Sequence, residues 1–399
     1  MLYASRVSHQ LEANVERFRA FAETERAAFH TFDRPLAMLD RLDFASLQDQ
    51  LAEENRPGAL PSEEWQPATG LIQPFAVSFE HHRAARRWAL ECISGITTIA
   101  ADGSEIKPTK DYSLPIAAVQ VGWFENPHCA DRPYVKDATF EVVDPTELTA
   151  EAGDGFGIAE QHLALRRFQL EVEVLIARMA SLAERGWTGQ RPPVAFFDGS
   201  LVVSFTAVML ERLGSQYIQS ICELIRASEE TGIPVVGYVD TSLAKDLATL
   251  LAVLAGLPRP QRMPDSRLLD QRMQWGDRTR ALVCARADVL SRYLIGEASY
   301  AREICFTYLK TNQAAPPSRL DIPRWVVRQG LLEHVIDVVR SEVIVGNGYP
   351  YCLETADACA VLSALDRERF YRILQDFAGR HGLGLSIVPK AASKRRRRI

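Results

Sequence analysis

Two apolar runs that end in the same three residues limit the folds open to this chain. Ile96-Thr97-Thr98-Ile99-Ala100-Ala101 leads into Asp102-Gly103-Ser104, and Val194-Ala195-Phe196-Phe197 leads into Asp198-Gly199-Ser200-Leu201. Short runs of β-branched, aromatic and small apolar residues predict strands buried on both faces, and Pro192-Pro193 marks the start of the second. Each strand then ends on a carboxylate, followed by a glycine that permits a sharp turn or the close approach of a ligand. Two such strands side by side would set Asp102 and Asp198 together at one edge of a sheet, the arrangement that holds a divalent cation on oxygen. A single Asp-Gly-Ser is more often a plain turn. The doubling makes the pair a candidate site.

Composition restricts the setting rather than the chemistry. The 399 residues are 47% hydrophobic and 24% charged, ordinary for a globular protein with one or two cores. A formal net charge of -5 supplies no global basic field, so a nucleic-acid partner has to be held by local patches. The seven cysteines (Cys92, Cys129, Cys222, Cys284, Cys305, Cys352 and Cys359) are scattered singly, without a Cys-x-x-Cys pair. With no secretory leader pattern and no long apolar run, this predicts reduced thiols, a cytoplasmic location and no membrane span. No Walker A loop is present, so nucleotide hydrolysis has to come from another chain.

Along the chain, Leu11, Val15, Phe18, Ala22 and Phe29 share one stripe, which predicts one or two amphipathic helices before Arg56-Pro57-Gly58. Such a stripe needs the core or a second subunit to cover it. An Arg- and His-rich helix is expected around 80–92. From Gly95 the pattern is α/β. Strands are expected at 96–101, 114–123 and 134–143, then the glycine-rich turn Gly153-Asp154-Gly155-Phe156-Gly157 and a helix over 158–185. A strand at 194–197, a helix over 205–231, a strand at 233–240 and a helix over 243–254 follow. Pro258, Pro260 and Pro264 open a less regular stretch with strands expected at 280–287 and 303–310 and a break at Pro316-Pro317. Helices over 325–339, 353–364 and 367–381 precede the basic run Lys394-Arg395-Arg396-Arg397-Arg398. This order predicts an α/β fold: a ribonuclease H-like mixed five-stranded sheet with flanking helices, an N-terminal helical segment and C-terminal helices. Order alone says little about function.

A cation site of this kind needs a third carboxylate, and the helix before the second strand offers Glu171 and Glu173. Two residues apart on a helix, they point about 200° from one another, so both cannot face the site. Glu171 is favoured because it falls four residues after Arg167, on an ion-pairing face. By themselves both are ordinary residues of a solvated helix face. Lys245 is read either as a phosphate contact or as an exposed helix lysine, and His81-His82 has no second ligand cluster nearby.

Three stretches together resemble the NurA nuclease family, the manganese-dependent partner of the HerA hexameric ATPase in archaeal and bacterial DNA end processing. They are Ala101-Asp102-Gly103-Ser104, Phe197-Asp198-Gly199-Ser200-Leu201 and Gly348-Tyr349-Pro350-Tyr351-Cys352-Leu353-Glu354-Thr355-Ala356-Asp357. The resemblance implies that Asp102, Asp198 and a helix glutamate, Glu171 or Glu173, bind Mn²⁺ or Mg²⁺ and that Tyr349 lies at the site. Asp357 stands where family members carry a histidine eight residues after that tyrosine, so a carboxylate replaces an imidazole as candidate ligand or acid/base group. Also implied are a homodimer that admits DNA, an N-terminal region that docks a HerA-like ATPase, and single-strand endonuclease and 5′-3′ exonuclease activity in end resection and double-strand break repair. The division expected is an N-terminal docking or dimer region at 1–92, a nuclease domain at 93–365 with an insertion at about 257–328, and a helix and basic tail at 366–399. Two rivals stay open: a catalytically weak adaptor of a HerA-like ATPase, which the missing histidine favours, and a ribonuclease H-like enzyme acting on RNA or hybrids.

Overall fold

The computed structural model describes residues 2–65, 70–109, 111–113, 116–149, 156–187 and 189–385. Gly153, Asp154 and Gly155 of the expected turn and the basic run from Lys394 lie outside them. The chain divides into two compact units, one built from Met1–Ala76, Asp240–Ala287 and Cys305–Arg319, the other from Val77–Val239, Asp288–Ile304 and Leu320–Ile399. These boundaries differ from those expected. The Arg-rich helix after residue 80 packs with the second unit, whereas most of the 257–328 stretch joins the N-terminal residues in the first.

The second unit carries a mixed sheet. Its strands are β1 (Thr98–Ile106), β2 (Ala117–Asn126), β3 (Val135–Val143), β4 (Val194–Asp198), β5 (Val235–Val239) and β6 (Ser318–Pro323), whose residues from Leu320 on belong to this unit. Spatial order is β3-β2-β1-β4-β5-β6. The first three strands pair antiparallel, while β1–β4 and β4–β5 are parallel. The five expected strands are all present, and β6 extends the sheet where only a break was foreseen at Pro316-Pro317. Residues Val194 to Phe197 are all buried, as a central strand covered on both faces requires. Edge strand β3 instead exposes Lys136, Asp137 and most of its length, and charges there discourage pairing with another chain.

Helices cover both faces. We label them α1 (His82–Ile93), α2 (Phe156–Arg185), α3 (Glu211–Thr231), α4 (Leu332–Val345), α5 (Tyr351–Ala360) and α6 (Ala364–Arg380). The long α2 packs on β1, β2 and α3; α5 packs on β1 and β2; α4 packs on α1. One buried acid ties the second group to the sheet. The Glu342 carboxylate on α4 accepts from the Thr98 hydroxyl of β1 and the Cys352 amide of α5, both at 2.9 Å, and lies 3.4 Å from His128 Nε2. His128 sits at φ 44° and bonds the Ile96 carbonyl through Nδ1. Nδ1 therefore carries a hydrogen, since a carbonyl oxygen only accepts.

The first unit begins with four helices, Ala4–Glu12, Val15–His30, Asp33–Leu39 and Phe44–Leu51, rather than one or two. The first two bury no side chain at all, and Leu11, Val15 and Phe18 of the predicted stripe are exposed. In the same unit Gly58–Pro61 pairs antiparallel with Leu282–Ala285, which pairs with Ile304–Leu309. Buried Asp246 takes the guanidinium groups of both Arg286 and Arg319, satisfying a carboxylate that would otherwise be too costly to desolvate. Lys245 bonds the Gln261 carbonyl within this unit. All seven cysteines are free thiols, and among the described residues no helix is long and apolar enough to cross a membrane.

Replacing the buried Glu342 by Leu leaves the Thr98 hydroxyl and Cys352 amide without their acceptor. The expected cost is about 2–4 kcal/mol, read as a lower urea midpoint with an unchanged slope. An unchanged midpoint would mean that this acid does not fasten α5 to the sheet.

Candidate functional site

The register of two parallel strands fixes the first pair of carboxylates. Ala100 lies beside Phe196 and Ala101 beside Phe197, so the next residues along β1 and β4, Asp102 and Asp198, come level with each other. Asp198 ends its strand at the turn expected for it, with Gly199 at φ 145°. Gly237 on β5 makes room for that turn, because a Cβ there would lie 2.6 Å from the Gly199 carbonyl. Asp321 on β6 holds the turn from below, accepting from the Ser200 hydroxyl and, at 3.1 Å, from the Leu201 amide.

The first Asp-Gly-Ser does something different. It is not a turn: β1 runs straight through it to Ile106. Gly103 is required for space, since a Cβ there would fall 2.4 Å from Glu171 Oε1 and 2.8 Å from Arg167 Cγ. The absent side chain is what lets α2 bring Glu171 against the strand. Across the ladder from Asp102 stands Gly122, where a Cβ would meet the Ala360 amide at 2.5 Å and the Cys359 carbonyl carbon at 2.6 Å. The backbone of α5 therefore sits almost on β2, and Asp357, one turn earlier in that helix, is carried over Asp102. Two glycines thus admit two helices from two faces.

The electrostatics record this crowding. Burial raises the Asp102 carboxyl to about 6; the Gly103 amide, 2.7 Å away, pulls against that, and the Asp357 and Asp198 carboxylates push it up further. Burial likewise lifts Glu171 to about 7, opposed by Arg167 and reinforced by the charges of Asp102 and Asp198. Arg167 donates to Glu171 at 2.6 Å and to the Gly103 carbonyl at 3.3 Å, so it pins the glutamate to β1. Tyr349 donates its hydroxyl to Asp198 Oδ1 at 3.1 Å. Its own ionisation is driven up by burial and then by the Asp198 charge, which keeps it a proton donor at neutral pH. Edge-on contact with Tyr238, ring centres 5.3 Å apart, fixes its orientation.

Of the candidate residues, Asp102, Glu171, Asp198, Tyr349 and Asp357 come together at one place. Glu173 does not. It is exposed and bound to Arg166 at 2.7 Å, in a clamp that Arg166 shares with Glu141 of β3, because the helix turns it to a different face. His81 caps α1 by accepting from the Ala84 amide and serves no ligand function. Sequence reading missed Gly122, Asp321 and Glu342. Nothing local marks them; each acts on residues far away in the chain.

All four acidic groups offer oxygen, the donor that Mg²⁺ and Mn²⁺ accept, and burial raises two of them, Asp102 and Glu171, with neighbouring carboxylates pushing both further up. Arg167 pairs with Glu171. Among the described residues, however, no three His, Cys, Asp or Glu side chains stand close enough to hold an ion as they are. Tyr349 and Arg167 each hold one of the carboxylates in a bond of its own.

A family model described as the NurA domain matches residues 96–362, about two thirds of the chain. The chain belongs to the NurA family. It is thus a member of a family of nucleases, and the match spans every residue gathered at the site. No curated protein matches. Among solved structures, a NurA crystal structure is similar at 10% identity with a TM-score of 0.40, covering 71% of this chain and 89% of that one. NurA bound to dAMP and manganese is similar at 11% identity, TM-score 0.36, with 88% and 94% covered. The catalytic domain of human Endonuclease V is similar at 15% identity, TM-score 0.34, with 72% and 88% covered.

Burial of an ionised carboxylate beside others makes the site destabilising. For a carboxyl whose native pKa lies above its unfolded value, the unfolded chain releases its proton first as pH rises, so stability falls between the two pKa values. For Glu171 that window runs from the ordinary 4.5 of a glutamate to about 7. Glu171→Gln should therefore raise the stability of the metal-free protein at pH 8 by an amount on the order of 2 kcal/mol, and the gain should vanish near pH 4. Thermal melts at both pH values check this; an equal effect at each would remove repulsion as the cause.

Proposed function

We propose that this NurA-family protein is a divalent-metal-dependent DNA nuclease that cuts single strands and resects 5′ ends. The observation that carries this reading is the meeting of Asp102, Glu171, Asp198 and Asp357 at the end of β4, with one arginine as partner, inside the region that matches the family. Asp102 and Asp198, on rigid adjacent strands, are the proposed core ligands, with Glu171 and Asp357 completing the set from α2 and α5. Bound among them, Mn²⁺ or Mg²⁺ would supply the positive charge that activates a water and stabilises the leaving oxygen.

The chain's own residues prepare that site. Arg167 holds Glu171 against β1 and opposes the burial that raises its carboxyl to about 7, so it favours the ionised form that a cation would bind. Tyr349 stays protonated, so its single hydroxyl hydrogen orients Asp198 and, turned away from it, is the one that would reach a phosphoryl oxygen. Asp357 is acceptor-only when ionised, where an imidazole could also donate. Asp102, raised to about 6, must lose its proton before it binds a cation, so cleavage should fall as pH drops through that value.

Partners follow from the family reading. We assign the protein to DNA end processing and double-strand break repair in the cytoplasm, as a homodimer that works with a HerA-like hexameric ATPase. The exposed apolar residues Leu11, Val15 and Phe18 on helices that bury nothing in their own chain support an interface there.

Asp198→Asn should lower cleavage of a labelled single-stranded oligonucleotide on the order of 10³-fold in Mn²⁺ while leaving its binding intact. Retained cleavage in the purified variant sinks the site. A wild-type protein that cuts nothing across a full Mn²⁺ titration would instead be an adaptor, the reading that Asp357 in place of histidine favours. Preferential cutting of matched RNA would shift the substrate to RNA or hybrids.

A further inference from the structure

Away from the carboxylates, α1 carries an arrangement that its own fold does not explain. Arg83, Arg86 and Arg87 stand at i, i+3 and i+4, so the three guanidinium groups share one exposed face. Like charges at that spacing repel. They also occupy the N-terminal half of the helix, whose first turn contains no acidic residue, so the positive end of the helix dipole opposes them as well. None of the three makes an ion pair or hydrogen bond among the described residues. Glu91, four residues after Arg87, lines the same face without pairing to it. Helix stability is thus lowered twice, with no return from within the chain.

The surface beside them is concave. Arg83, Arg86, Arg87 and Leu90 line a depression of about 710 Å³, and Glu91 and Ser94 continue it into a second of about 520 Å³ that reaches Arg191. Leu90 is 56% exposed, giving the basic face one apolar contact. Arg191 precedes β4 and Asp198 ends it, so the far edge of the second hollow and the carboxylates lie at opposite ends of the same strand, on the order of 15 Å apart along its axis, and the arginine face lies beyond that edge.

We propose that this face is a track for the phosphate backbone of a nucleic-acid strand, bound outside the cleavage site. Successive guanidinium groups on a helix face are spaced about 5–6 Å apart at their base, close enough for neighbouring phosphates to be met one by one. In a chain of net charge -5, three unpaired arginines in one hollow are the local patch that overall charge does not supply. The inference rests on the nuclease reading for the identity of the polyanion.

Its test is binding without cleavage. Fluorescence anisotropy in chelator compares a single strand long enough to pass both ends of β4 with one of a few nucleotides. The combined Arg83→Ala, Arg86→Ala and Arg87→Ala variant should reduce the slope of log affinity against log salt for the long strand by about 2, and leave the short strand unchanged. The matching triple lysine variant should keep the slope, because it keeps the charge. An alanine variant with the wild-type slope, or a lysine variant that loses it, overturns the track. Wild-type protein that binds neither strand overturns the nucleic-acid reading itself, and the track with it.

Discussion

The parallel register of β1 and β4 is the constraint from which the site follows. Once Ala101 lies beside Phe197, two carboxylates, Asp102 half-buried and Asp198 exposed, are level at the end of a strand whose preceding residues are buried. Everything added around them, Glu171 from one face and Asp357 from the other, increases a repulsion that the fold tolerates only because its core is elsewhere well satisfied. Asp246 in the first unit shows the contrast. That acid is buried more deeply than Asp102 or Asp198 but receives two guanidinium groups, and its carboxyl is held below its ordinary range despite burial. The raised carboxyls of Asp102 and Glu171 are the kind of perturbation that the proposed function would use, whereas the paired Asp246 fastens the fold.

Glycine does two separate jobs in the doubled motif. Gly199 supplies a backbone angle that other residues rarely adopt, while Gly103 and Gly122 sit in extended strands and supply only space. The distinction explains why identical tripeptides occur in unlike structures. It also explains how two helices approach one strand pair closely enough for short acidic side chains to meet, without the long reach of a lysine or an arginine.

Much of this was legible in the sequence. The strands Val194 to Phe197 and Ile233 to Asp240, the long helix before the first and the helices after Tyr349 all followed from periodicity, because buried parallel strands and amphipathic helices are local patterns. Asp102 and Asp198 followed from doubling. The choice between Glu171 and Glu173 did not: helical spacing separates them, yet only the depth of packing at Gly103 says which one faces inward. Strand β6 was hidden behind Pro316-Pro317, and its partner role for the Asp198 turn rests on Asp321, more than a hundred residues from the turn it holds. Long-range bonds of this kind leave no periodic trace.

The replacement of histidine by Asp357 is best understood through α5 itself. Glu342 fastens the start of that helix and Gly122 its end, so the position of residue 357 is set by the sheet and not by its own chemistry. Any side chain there is delivered over Asp102. An imidazole would bring a neutral ligand and a hydrogen-bond donor; a carboxylate brings a further negative charge and raises the demand for a cation. In the proposed nuclease, a cation bound there would take the place of the proton that burial and the neighbouring carboxylates favour on Asp102, whose carboxyl is raised to about 6.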